Sequence, residues 1–327
     1  PQWEFSVWHE PETGKVYFCL PDGQSVLTVS GWKLIEDVVL SDDLYDKDGK
    51  ITKIVNIQRR FYNGPLHNIK VAGFIDPVKL TPEHPVWTAT ARRSDEMRVS
   101  RYDRRRLKPQ DCEWRPASQI SAGDFISFTL PFQQEMEVSE LYNYWPSQEE
   151  VRCDRRICGD ILGQEDFWWM VGLWLADGYS WEEKLSNGYV GYSTAFALNG
   201  KKDIPVMNRL TDIIRRVFDR SPQTHDRGSV IEVKFTSKTF YHFVRLHFGR
   251  GALNKNLPEW VKTIPKNLRI SLFQGYWTGD GSYIHNRNKL EGGCVSISRK
   301  LLSDMQDVLL SCGIFTGMSK LRNAGKA

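Results

Sequence analysis

Two kinds of hydrophobic patterning divide the chain. From Cys19 to about Pro131, apolar and β-branched residues come in short runs mixed with polar ones: Ser25-Val-Leu-Thr-Val, Ile51-Thr-Lys-Ile-Val-Asn-Ile, Leu66-His-Asn-Ile-Lys-Val and Phe125-Ile-Ser-Phe. Turn formers separate some of them, at Pro21-Asp22-Gly23, Asp48-Gly49 and Asn63-Gly64-Pro65. Short runs of this composition between turns predict strands, so this part predicts an all-β domain. Residues 133–164 are polar and irregular and predict a connection. After them the period changes. Phe167 to Ala176 is apolar on every face and stops at Asp177-Gly178. Ser271-Leu-Phe-Gln-Gly-Tyr-Trp-Thr-Gly-Asp280-Gly281 ends the same way. Glycine just past an apolar helix is a stop signal. Asn208–Phe218 and Leu301–Leu310 carry apolar residues at helical spacing and predict amphipathic helices.

These segments recur in order. A helix ends in Asp-Gly, strand-like text follows, and a serine with a basic neighbour leads into another helix. That element is Ser237-Lys238 before Phe240–Phe248 and Ser298-Arg299 before Leu301–Leu310. The two aspartates lie 103 positions apart, which predicts an internal domain duplication rather than a solenoid.

Length and composition bound the rest. At ~100–200 residues per domain, 327 residues make about two domains. Hydrophobic residues at 40% and charged residues at 26% are ordinary for a soluble globular chain. The longest apolar run is far short of the ~20 residues that cross a bilayer, and the first residues lack a basic then apolar leader. Six cysteines are spread too thinly for a disulfide-stapled domain, so a reducing cytoplasm and no membrane association are expected. Cys153 and Cys158 have no second pair at zinc-finger spacing. A net charge of +4 is too small to imply an anionic partner, but charge is concentrated in residues 91–110. Arg92, Arg93, Arg98, Arg101, Arg104, Arg105, Arg106 and Lys108 stand there against Asp95, Glu96 and Asp103. The run is either a solvated loop or a DNA-contacting arm centred on Arg104, Arg105 and Arg106.

Alignment of the two helix ends places Gly172-Leu-Trp-Leu-Ala-Asp177-Gly178 over Gly275-Tyr-Trp-Thr-Gly-Asp280-Gly281. Each copy has a small residue five before the aspartate and another directly before it, which suits a closely packed helix pair. The aspartates then meet at helix C-termini, where the macrodipole is negative. A divalent cation, Mg²⁺ or Mn²⁺, would offset both the dipole and the mutual repulsion, which makes Asp177 and Asp280 candidate metal ligands. One such end is an ordinary capping turn; two inside a repeat favour a paired site.

The paired motifs resemble those of LAGLIDADG homing endonucleases in their two-motif, single-chain form. The resemblance spans about residues 165–327 and includes Asn256-Leu-Pro258-Glu-Trp and Val295 to Gly313. It implies an α/β domain with pseudo-two-fold symmetry, a monomer with an internal pseudo-dimer. In that family the motif helices form the interface, their last acidic residues bind divalent metal, and two saddle-shaped sheets cradle duplex DNA. By position, the resemblance puts an assisting basic residue at Lys255 in the first half and at Lys320 in the second. Metal-assisted phosphodiester hydrolysis suits such a set: the metal activates water, and a lysine offsets developing charge.

The first domain has its own motifs. Cys19 opens Cys-Leu-Pro-Asp-Gly-Gln-Ser-Val-Leu-Thr, followed by Gly31-Trp-Lys-Leu-Ile-Glu-Asp, Leu80-Thr81-Pro82-Glu83-His84-Pro85-Val86, Trp114-Arg-Pro-Ala-Ser-Gln-Ile and Gly123-Asp124-Phe-Ile. The series resembles the N-terminal part of an intein, the Hint fold shared with hedgehog autoprocessing domains. Cys19 would attack the Phe18 carbonyl and shift the Phe18–Cys19 amide to a thioester. His84 would protonate the departing nitrogen, and Thr81 would orient the peptide. The chain then reads as follows: 1–18 an N-extein, a host remnant resembling a segment of phage terminase large subunits; 19–132 the splicing domain with its basic insertion at 91–110; 133–164 a connection; 165–327 the endonuclease. His67-Asn68 and His285-Asn286 are followed by Ile69 and Arg287, so no terminal splicing motif is found. The Hint domain therefore reads as incomplete on its C-terminal side, with a C-terminal intein fragment as partner in a split or truncated element. A degenerate DNA-binding module without cleavage and a hedgehog-type processing domain are the alternatives.

Overall fold

The computed structural model describes residues 2–7, 18–90, 111–128, 135–146, 159–286 and 289–319. It divides into two compact units, residues 1–133 together with 317–327, and residues 134–316.

The described part of the first unit is built from short antiparallel strands: β1 (Gln2–Val7), β2 (Phe18–Pro21), β3 (Ser25–Thr28), β4 (Gly31–Leu34), β5 (Asp43–Tyr45), β6 (Ile51–Lys53), β7 (Ile57–Tyr62), β8 (His67–Ile69), β9 (Val78–Leu80), β10 (Pro85–Ala89), β11 (Glu113–Pro116) and β12 (Phe125–Ile126). They pair as β2-β1-β7, β4-β3-β5-β6, β8-β9 and β11-β10-β12. Alternation turns Val26 and Thr28 of β3 inward. A small core forms from Leu20, Val26, Ile35, Val38, Leu44, Ile54, Leu80 and Ala117. Residues 2–7, read from sequence as host flank, form the middle strand of a sheet, with Val7 opposite Phe18 and Trp3 opposite Phe61. β7 escaped the strand reading because Gln58, Arg59 and Arg60 are exposed, leaving no apolar run to recognise.

The second unit opens with α1 (Val138–Leu141). Then come α2 (Glu165–Asp177), β13 (Gly178–Lys184), β14 (Val190–Asn199), α3 (Ile204–Phe218), β15 (Gln223–Asp226), β16 (Val230–Thr236) and α4 (Lys238–His247). A second series follows: α5 (Lys266–Asp280), β17 (Gly281–Asn286), β18 (Lys289–Cys294) and α6 (Arg299–Ser311). β13-β14-β16-β15 form an antiparallel sheet. Its register puts Phe196 opposite Val233 and Thr194 opposite Phe235, so these apolar side chains share one face and join the core. The other face carries Tyr179, Trp181, Glu183, Lys234 and Glu232, paired with one another or with Arg227. Every residue of α2 from Phe167 to Leu175 is buried, which is why no polar face was visible in its sequence. Each buried Phe, Met, Val or Leu side chain among them contributes about 1.5–3 kcal/mol by leaving water.

Three sequence expectations change here. The segment 133–164 is not a bare connection. Leu141 and Ile161 enter the core, the Met136 N–H donates to Thr263 O at 2.7 Å, and Glu135 pairs with Arg269 at 2.6 Å. At the other end, the division at 317 returns the last described residues to the first unit, where the Met318 N–H donates to Gly73 O at 2.9 Å. The third change concerns the repeat. Ser237 and Ser298 both cap helices, accepting from the N–H groups of Phe240 and Leu301. Yet α6 directly follows the β17–β18 hairpin, as α3 follows β13–β14, so the two serines are not equivalent in topology. Among the described residues no helix is long and apolar enough to cross a membrane.

Candidate functional site

The site rests on the contact between α2 and α5. A β-carbon on Gly172 would overlap the Leu272 carbonyl oxygen, and one on Gly275 would overlap the Trp169 carbonyl oxygen. The helices thus touch backbone to backbone at both glycines. Closer to the helix ends, a β-carbon on Gly279 would lie 2.6 Å from Asp177 Oδ2. Asp177 and Asp280 are the last residues of their helices. Gly178 and Gly281 follow with φ of −93° and −78°, which any residue adopts, so they are not left-handed caps. Glycine is required there because a β-carbon would strike Trp174 or Trp277 of the preceding turn.

Both carboxylates are half-buried. Burial pushes the Asp177 carboxyl up to about 6, with the Asp280 charge adding to the shift and Lys255 opposing it. Burial raises Asp280 as well, while a Tyr276 contact and Lys255 oppose it. Cys294 is pushed up to about 11 by burial and by Asp280. The Tyr276 hydroxyl is buried near Asp280 and Ser296 without a hydrogen bond of normal geometry.

Lys255 is 6% exposed and donates to three carbonyls at the end of α2: Trp174 at 2.8 Å, Leu175 at 3.0 Å and Gly178 at 2.8 Å. An ammonium has three donors, and all three are used. Its charge offsets the negative end of the helix, a task that sequence reasoning gave to the metal alone. Burial lowers Lys255 to about 8, with Asp280 and Asp177 holding it up. The lysine is held in turn by α6. Ser298 Oγ donates to Lys255 O at 2.7 Å, and Asp304 accepts from the Leu257 N–H at 3.0 Å. Sequence reasoning used Ser298 only as a helix start and missed Asp304, although a buried acid on an amphipathic helix was a signal.

Among the described residues no three His, Cys, Asp or Glu side chains gather into a metal cage. Two carboxylates near an orphan hydroxyl form a hard-oxygen set with open positions for water and phosphate oxygens. That fits Mg²⁺ or Mn²⁺, which keep several waters, better than a closed structural site.

In the first unit, Thr81 follows β9 and is fully buried, and its hydroxyl has no hydrogen-bond partner among the described residues. His84 is buried, with its N–H on Thr81 O at 3.1 Å and its carbonyl accepting from Ala117 at 2.8 Å. β9 runs beside β2, the strand that contains Phe18 and Cys19. The Cys19 side chain, Lys320, Arg104, Arg105 and Arg106 lie outside the described part.

Residues 267–327 match the family model described as LAGLIDADG-like domain. The chain is 26% identical to an uncharacterized protein of Methanocaldococcus jannaschii, over 92% of this chain and 38% of that protein. It is 24% identical to the ATP-dependent DNA helicase Hel308 of Thermococcus kodakarensis, over 90% of this chain and 27% of the helicase. It is 20% identical to an iron-sulfur cluster assembly SufBD family protein of Mycobacterium tuberculosis, over 94% of this chain and 34% of that protein. The chain thus spans less than two fifths of the length of these relatives. Among solved structures, the homing endonuclease I-DmoI in complex with DNA and Mn is 17% identical, with a TM-score of 0.32 over 46% of this chain and 79% of that one. The LAGLIDADG meganuclease I-AabMI bound to uncleaved DNA is 11% identical, with a TM-score of 0.28 over 48% and 75%.

Proposed function

We propose that the second unit, whose C-terminal part carries a LAGLIDADG-like domain, is a site-specific, divalent-metal-dependent DNA endonuclease, and that the first unit is the splicing domain of an intein that harbours it. The observation that carries the nuclease reading is the meeting of Asp177 and Asp280 at the ends of two helices packed through Gly172 and Gly275. Asp177 and Asp280 would hold the ion through carboxylate oxygens. When bound, the ion supplies an activated water and stabilises the leaving oxygen. Lys255 keeps the helix end neutral and the carboxylates ionised; with its three donors occupied, it acts through charge. The polar face of β13-β14-β16-β15 is the surface for duplex DNA in the first half. Arg104, Arg105 and Arg106 remain a proposed arm. The test is sequencing of the ends produced from a randomised duplex library with Mg²⁺: one recurrent cut sequence supports the reading, and random nicking or none opposes it.

Three observations support the intein reading. The first unit is discontinuous around the second, the arrangement of a nuclease inserted in a processing domain. A DNA helicase and a SufBD family protein, whose names share no activity, each match nearly all of this chain over 27% and 34% of their own length respectively. That is the behaviour of an insert indifferent to its host. Buried Thr81, whose hydroxyl has no hydrogen-bond partner among the described residues, and buried His84 follow β9, a strand in contact with the strand that contains Phe18 and Cys19. The Cys19 sulfur gives up its proton as it adds to the Phe18 carbonyl carbon, the carbon–nitrogen bond breaks, and His84 protonates the departing nitrogen, the proton released by the thiol restoring the balance. A reducing cytoplasm keeps this thiol free. Mass spectrometry of the chain with added thiol and a C-terminal intein peptide should detect residues 1–18 released as a thioester adduct. Cys19→Ala abolishes release, and His84→Ala slows it about 10²–10⁴-fold. Release that survives Cys19→Ala means the nucleophile lies elsewhere.

A further inference from the structure

We infer that Arg245 and Arg250 form a clamp for a DNA backbone phosphate beside Asp177. The inference rests on the DNA reading of the second unit and names a binding site within it. A cavity of about 330 Å³ opens next to Asp177 and is lined by Lys255, Arg245, Arg250, Gly249 and Gly251. The local sequence builds it. α4 ends at His247, and the chain reverses through Gly249-Arg250-Gly251 before reaching Lys255. Gly249 has φ of 82°, and a β-carbon there would overlap the Asn254 carbonyl oxygen, so the turn closes only with glycine. This reversal brings Arg245, in the last turn of α4, to the same cavity as Arg250 and Lys255.

Arg245 is half-buried and Arg250 exposed, and neither forms an ion pair among the described residues. Arg209, Arg216, Arg227 and Arg269 in the same unit are all paired with carboxylates. The Arg245 guanidinium stands 5.7 Å from the Tyr241 ring, which limits its freedom without using its hydrogen-bond donors. Two guanidiniums without a carboxylate partner among the described residues thus line the cavity beside Asp177. Lys255, the other cation of the cavity, has no donor left. A phosphodiester entering here needs hydrogen-bond donors, and the planar forks of Arg245 and Arg250 match two phosphate oxygens. The clamp holds the strand served by Asp177, at a phosphate next to the one that is cut.

The test uses the full chain and a fluorescein-labelled random-sequence duplex in EDTA, with affinity measured by anisotropy across salt concentration. The slope of log affinity against log salt reports the phosphates engaged. Arg245→Ala with Arg250→Ala should make the slope shallower by ~0.9, the loss of one phosphate contact, and Arg250→Ala alone, an exposed loop change that leaves the core intact, by part of that. The double Arg→Lys variant keeps the charges and should keep the slope. Lys201→Gln, at an exposed lysine that does not line the cavity, should leave it unchanged. A wild-type slope retained by the double alanine variant overturns the clamp and leaves the DNA reading intact. A wild-type chain without salt-dependent duplex binding removes the DNA reading itself.

Discussion

If the second unit is the proposed endonuclease, Asp177→Asn and Asp280→Asn should each abolish double-strand cleavage, while DNA binding measured in EDTA persists. Losing one ligand of a catalytic ion forfeits several kcal/mol of transition-state stabilisation, on the order of 10³-fold in rate. The same change acts in the opposite direction on stability. The Asp177 carboxyl is raised to about 6 by burial and by Asp280, so its ionisation opposes folding above that pH. As pH falls from there toward the ordinary carboxylate value, the folded state takes up the proton first and stability rises. At neutral pH without metal, Asp177→Asn is therefore stabilising. Allowing for solvent screening of a half-open carboxylate, the gain is about 1 kcal/mol, or about 2–4 °C in Tm. Wild-type protein should recover that stability when Mg²⁺ is added, and the variant should not. Cleavage that survives both substitutions together, or equal Mg²⁺ stabilisation of both proteins, removes these carboxylates from the metal site.

Gly275→Ala is expected to destabilise the second unit, against the usual direction. In a helix interior, Gly→Ala normally gains about 0.5–1 kcal/mol. Here the new methyl group would occupy the place of the Trp169 carbonyl oxygen, and backbone cannot move aside as a side-chain tip can. The two helices must separate along their contact, and much of the α2 core separates with them. The cost is on the order of 3–5 kcal/mol, among the largest single-residue effects. In thermal unfolding this lowers Tm by roughly 6–20 °C. Gln274→Ala, one residue away on an exposed position of the same helix, should be neutral. Gly279→Ala separates fold from site. Its methyl group meets Ala176 Cβ and Asp177 Oδ2, so metal-dependent stabilisation should fall more than Tm itself. Equal Tm values for Gly275→Ala and wild type would mean that the helices do not meet there.

The features that sequence disclosed are those carried by local periodicity. The change from short mixed runs to helical spacing near Glu165 separates strands from helices, because burial on one face or on all faces leaves its own repeat. The two Asp-Gly stops and the small residues five before them were visible as a duplicated word, since close helix contact excludes side chains wherever it occurs. Tertiary structure decided what depends on distant partners. Lys255 is 81 residues from Trp174, and only folding brings its ammonium onto that carbonyl and consumes its donors. The glycines after the aspartates read as helix stops, yet tryptophan packing is what demands them. Residues 135–146 read as a polar link, because Leu141 and Trp145 are too few to make a pattern although both pack in the core region. Residues 317–319 lie in the stretch that matches the LAGLIDADG-like domain, yet one backbone hydrogen bond to Gly73, invisible to any periodicity, groups them by contact with the first unit.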